Sequence, residues 1–135
     1  MNPSFRRSAV ALAIMLIVIP TGIAVRYAPL HLPWFLYKYL GSFLWAVALY
    51  WFLAALLPKL SARGIAAIST AGALAVEFSR LVPQPTIDAF RLTLAGQLLL
   101  GRYFSYRNIV AYLLAIAMCA LLDGRFRPSE MTIER

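Results

Sequence analysis

Glu77, Arg80, Asp88 and Arg91 are the side chains of this sequence best placed to do chemistry. They interrupt stretches that are otherwise apolar, and an ionisable group in a membrane costs several kcal/mol unless it is paired or hydrated. Arg80 lies three positions after Glu77 and Asp88 three positions before Arg91, so each pair shares one face of a helix. Between the pairs runs VPQPT, whose prolines end one helix and hold Gln84 extended. The helices on either side are expected to be antiparallel neighbours, with Glu77 and Arg91 at one depth, roughly 8 Å inside at helical rise. Thr93 and Gln97 would add hydrogen-bonding groups further down. Two chemistries fit. Two ion pairs can cap and register a helical hairpin, or a neutral polar cluster can bind a head group, ion or substrate, or relay protons.

Other chemistry finds little footing. His31 has no carboxylate or thiol at a ligand spacing, so no metal is expected. Cys119 sits between Met118 and Ala120 and reads as a small apolar residue. Ser42, Ser69 and Ser79 lack the context of a nucleophile elbow. There is no phosphate loop, dinucleotide fingerprint or paired metal-binding His, so neither cofactor nor enzyme is expected.

The elements that must position these residues follow from composition. Of 135 residues, 62% are apolar and 13% charged, against about 45–50% and 25% in soluble domains. So few charges cannot cover a soluble surface, and a cytosolic enzyme or a disordered chain is excluded. A single Cys excludes a disulfide framework. The net charge of +8 comes from Lys and Arg spaced along the chain between apolar runs. That is how loops between membrane spans look, rather than one nucleic-acid-binding face.

The expected fold is all-α: a polytopic transmembrane bundle of five hydrophobic helices, four of them spanning, in one domain over 1–124 with a polar tail over 125–135. Ser8 to Val25 forms the first, read as a retained helix rather than a signal peptide because further spans follow. Arg26 to Pro33 is a loop, and Trp34, Phe35, Tyr37 and Tyr39 form an aromatic belt with Lys38 snorkelling. Tyr39 to Leu57 is the second helix and Pro58 to Arg63 a turn. The third, Gly64 to Val82, carries Ala67, Ala71 and Ala75 every fourth position, a stripe that lets another helix approach closely. The fourth, capped by Thr86 and running to about Phe104, has a short uncharged part and either spans or is half-buried or re-entrant. Its Gly96 and Gly101 serve close packing or a hinge. Asn108 to Leu122 is the fifth. With an inside start and five spans, the Lys and Arg divide equally between the two sides; the leading Arg6 and Arg7 favour that start.

The series Leu32-Pro33-Trp34-Phe35, Tyr39-Leu40-Gly41, Leu44-Trp45-Ala46, Glu77, Pro85-Thr86-Ile87-Asp88, Arg91, Thr93, Gly96, Leu100-Gly101, Phe104, Asn108 and Tyr112 resembles a family of small bacterial membrane proteins, domain of unknown function 2809, from about Leu32 to Gly124. Ser42, Thr86 and Asn108 depart from its pattern, standing where the family has an acid, a Trp and an acid. The layout is also similar to that of VanZ-like proteins, with a Glu late in one helix and an Asp opening the next. The resemblance implies a multi-pass protein of the bacterial inner membrane and supplies no reaction. The function expected is non-enzymatic: a membrane protein whose partners are lipids, with a lipid or lipid-linked envelope head group at the polar hairpin. The alternative is a small transporter or proton-coupled carrier, working as a homo-oligomer.

Overall fold

A computed structural model describes residues 2–27, 31, 33–100 and 105–126. Every regular element among them is helical: α1 Pro3–Tyr27, α2 Trp34–Leu56, α3 Ala62–Ser79, α4 Pro85–Arg91, α5 Leu94–Leu99 and α6 Tyr106–Phe126. Three helices are long and apolar enough to cross a membrane, over Ser4–Tyr27, Tyr39–Leu56 and Tyr106–Gly124. Charges stand only near the ends of these runs, at Arg6, Arg7, Arg26, Arg107 and Asp123, and a helix satisfies its own backbone in lipid. Only 11% of the first of these runs is buried inside the protein. Leu12, Leu16 and Ile17 on α1 and Leu113, Leu114 and Leu121 on α6 face outward, the surface of a membrane protein.

The long helices run alternately up and down. Ser8 Oγ donates to the Ala55 carbonyl at 2.9 Å, which sets the start of α1 against the end of α2. Ser42 meets Asn108, so α2 and α6 start at the same end, and α3 runs antiparallel to both. α1 packs on α2, α2 on α6 and α6 on α3. Small and aromatic residues share the core: Ala46, Tyr50, Trp51, Ala73, Ala115 and Cys119 are all buried. The Trp45 and Tyr112 rings lie 5.2 Å apart and close the α2–α6 seam.

The last two expected helices differ in the structure. The fourth hydrophobic helix is not one rod: it breaks into α4 and α5, of 7 and 6 residues. At 1.5 Å per residue these measure about 10 Å each, far short of a bilayer's ~30 Å core. The break is local chemistry. Thr93 takes an extended backbone (φ −78°, ψ 159°) and its hydroxyl accepts from Gly96 N at 3.0 Å, starting a new helix instead of extending the old one. The fifth expected helix, Asn108 to Leu122, lies within α6, which continues past residue 124 to Phe126.

Gly96 serves close packing, as expected, but between the short helices α4 and α5. A Cβ there would stand 1.8 Å from the Phe90 carbonyl oxygen and 2.8 Å from Arg91 Cα, so only glycine fits the α4–α5 corner. Gly96→Ala is expected to force the corner open, at the usual overpacking cost of about 1–3 kcal/mol. Faster limited proteolysis between residues 91 and 99 would report it. Gly101 lies outside the described residues, as do 127–135, most of the expected tail.

The stripe Ala67, Ala71, Ala75 does not pack inside the bundle; it lies on the exposed side of α3. The buried face carries Ile65, Ser69, Ala73 and Glu77 instead. Both faces share the four-residue period, and Glu77, the residue with most to lose in lipid, decides which one turns inward.

Candidate functional site

Glu77 ends α3 with no exposed surface. Its Oε2 accepts from Tyr112 Oη at 2.9 Å and pairs with Arg80 Nη1 at 2.7 Å. Its Oε1 accepts from the Ser105 backbone N at 2.8 Å and from Asn108 Nδ2 at 3.3 Å. Four donors therefore fill a carboxylate that has about four acceptor positions. Arg80 in turn donates through Nε to the Leu100 carbonyl at 2.6 Å. Burial of the charge is offset by pairing and by charge-assisted hydrogen bonds.

Asp88 and Arg91 form the other pair, Nη1 to Oδ1 at 3.0 Å. Arg91 Nη2 also donates to Ser79 Oγ at 2.9 Å, and Ser79 Oγ donates to the Val76 carbonyl at 2.6 Å. The Arg91 side chain is 7% exposed against 52% for Asp88. Arg91 Nε is buried with no hydrogen-bond partner.

Each expected i,i+3 pair is thus formed, but they do not make a single cluster. Among the described residues no hydrogen bond or ion pair joins Glu77 to Arg91. The reason is that α4 ends at Arg91 without packing along α3, so Arg91 reaches only as far as Ser79, and α6 takes the place beside Glu77. Thr93 and Gln97 serve nearby backbone. Thr93 Oγ1 donates to the Phe90 carbonyl at 2.6 Å and Gln97 Nε2 to the Leu92 carbonyl at 3.4 Å.

Two of the three departures noted in the sequence meet at this point. Ser42 Oγ donates to Asn108 Oδ1 at 3.0 Å, and the same amide's nitrogen turns to Glu77. Acids at both positions would bring three carboxylates together; here a neutral pair supports one. Asn108→Asp is expected to remove a donor from Glu77 and set a like charge beside it. The loss should be about 3 kcal/mol, the scale for an uncompensated buried charge, measured as a lower midpoint of thermal unfolding in detergent.

A second buried cluster, at the opposite end of the bundle, was not found by sequence reasoning. Arg7 Nη2 pairs with Asp123 Oδ2 at 2.7 Å, and Tyr50 Oη donates to the same oxygen at 2.7 Å. Arg7 Nη1 donates to the carbonyls of Pro58 and Leu60 in the α2–α3 turn. In the sequence Arg7 is one of two charges leading the first helix and Asp123 stands just past the expected fifth. A signal was present: Asn108, Tyr112, Cys119 and Asp123 recur at steps of four, seven and four, which places them on one face of α6. Between the clusters the core is largely apolar, with Ala73, Ala115, Ile116 and Cys119, and with the buried Ser69, whose Oγ has no hydrogen-bond partner. Among the described residues no three His, Cys, Asp or Glu side chains come together to hold a metal.

Residues 31–116, well over half of the chain, match the model of a family described as protein of unknown function, DUF2809. The chain belongs to this family. The DUF2809 match takes in Ser42, Glu77, Arg80, Asp88, Arg91, Ser105, Asn108 and Tyr112, which is the whole Glu77 network together with the Asp88–Arg91 pair. Arg7 and Asp123 fall outside it. No solved structure matches the chain.

Proposed function

We propose that this DUF2809 protein is a multi-pass integral membrane protein of the bacterial inner membrane that binds, without catalysis, the head group of a lipid or lipid-linked envelope component at the α3–α4 junction. Arg91 carries the proposal. Its guanidinium is held almost wholly out of solvent, one nitrogen lacks a partner, and its counterion Asp88 is half-exposed. A guanidinium presents a planar fork that suits a phosphate, and the exposed Asp88 is the partner a phosphate oxygen would displace. Glu77 is not the binding group, because its acceptor positions are filled from within. The multi-pass reading is supported by the three apolar helices and by α3. At 18 residues, α3 measures about 27 Å along its axis, and it lies antiparallel among them. Four crossings would put both ends of the chain on one side. The carrier alternative gains no support, since on the buried face of α3 below Glu77 the one polar side chain is Ser69, between Ile65 and Ala73.

The test is ligand-dependent thermal unfolding of the wild type and of Arg91→Leu in detergent, with phosphatidylglycerol added. Lipid at about tenfold above Kd should stabilise the wild type by about 1.4 kcal/mol, a rise of a few degrees. Arg91→Leu should not respond. Equal rises in both would remove the head-group reading.

A further inference from the structure

The segment from Leu81 to Leu99 leaves the bundle and returns to the same end of it. Its base is closed twice, by the Arg80 Nε to Leu100 carbonyl bond and by the Glu77 to Ser105 bond. A segment pinned in this way cannot cross a membrane. Nor is it suited to water. All ten residues from Leu81 to Phe90 are exposed, and beyond Val82, Ile87 and Phe90 come Leu92 at 67% and Leu94 at 62%. Polar side chains are interleaved with them: Gln84 caps α4 by accepting from Ile87 N at 3.0 Å, and Asp88 is half-exposed. A second observation marks the level. Tyr27, Trp34, Phe35 and Tyr106 are exposed where α1 ends and where α2 and α6 begin, the same end of the bundle as α4 and α5. Exposed Trp and Tyr at one level of a membrane protein collect at the head-group boundary.

We propose that α4–α5 is an interfacial anchor: it lies along the head-group and upper acyl zone of the bilayer and takes lipid as its partner. The apolar side chains enter the acyl region while Asp88 and Gln84 stay among the head groups, as in helices that lie on a membrane rather than through it. This anchoring rests on the membrane reading above and does not depend on head-group capture by Arg91.

The experiment uses the full chain in phosphatidylethanolamine–phosphatidylglycerol vesicles, with Cys119→Ala removing the native thiol. Spin labels are placed at Ile87→Cys and Leu94→Cys, with Leu16→Cys and Arg63→Cys as the lipid-facing and water-facing controls. The readout is the ratio of collision rates with oxygen, which partitions into lipid, and with a polar nickel chelate. Labels on α4 and α5 are expected to give ratios between the two controls, several-fold above Arg63→Cys. A ratio equal to that of Arg63→Cys places the segment in water and overturns the anchor. A ratio equal to that of Leu16→Cys places it at mid-bilayer and also overturns it. Dipolar broadening between labels on separate chains would assign the face to a second copy instead of lipid, again against the proposal. If Leu16→Cys itself is accessible to the nickel chelate, the membrane reading beneath both proposals fails, an outcome distinct from failure of the anchor alone.

Discussion

Glu77→Leu should cost this protein most of its stability. The substitution leaves the Arg80 guanidinium buried, with its carboxylate partner gone, and takes the shared acceptor from Tyr112, Asn108 and Ser105. Removing one member of a buried ion pair costs about 3–5 kcal/mol, because the other charge remains out of water. Natural domains have only about 5–15 kcal/mol in total. The variant should therefore lose its cooperative unfolding transition in detergent or show a midpoint lowered by ten degrees or more, on the order expected for a loss of that size. Glu77→Leu combined with Arg80→Leu decides the cause. With both charges absent the penalty of the orphan disappears, and the double variant should recover part of the loss despite carrying more substitutions. If it is no better than Glu77→Leu alone, the carboxylate matters through its bonds to α6 and not through the ion pair.

Asp123→Ala should be nearly as costly at the other end. It strips Arg7 of its counterion and leaves Tyr50 Oη without an acceptor. Arg7 keeps the backbone carbonyls of Pro58 and Leu60 as acceptors, so the expected loss is about 3 kcal/mol, at the lower edge of the range for buried pairs. The first turn of α1 should detach with it. Trypsin cleavage at Arg6 and Arg7, compared between wild type and variant, would show this as faster cutting. Unchanged cleavage would mean that the two carbonyls and Ser8 hold α1 without the salt bridge.

The helices α1, α2 and α6 could be read from the residues because hydropathy over a long uncharged run is a one-dimensional signal. The intrahelical pairs Glu77–Arg80 and Asp88–Arg91 could be read for a similar reason, as i,i+3 spacing fixes the face. What could not be read was which helix a face meets. Glu77 was set against Arg91 on the assumption that the segment after VPQPT is one straight rod. α4 ends without packing along α3, the threonine cap and the Gly96 corner then turn the chain again, and α6, far on in sequence, fills the place. Ala67, Ala71 and Ala75 misled in the same manner: a period of four marks a face but does not say whether protein or lipid covers it. Arg7 and Asp123 stand too far apart along the chain for any local pattern to connect them.

That separation bears on how the molecule is made. Arg7 finds its counterion 116 positions later, and Glu77 takes three of its four donors from Ser105, Asn108 and Tyr112. A ribosome that has delivered only the first three long helices has therefore released one cation whose counterion, and one acid three of whose four donors, are still to come. α6 is the keystone: until it arrives, neither end of the arch is locked, and a nascent chain stopped short of Tyr106 is a natural substrate for quality-control proteases.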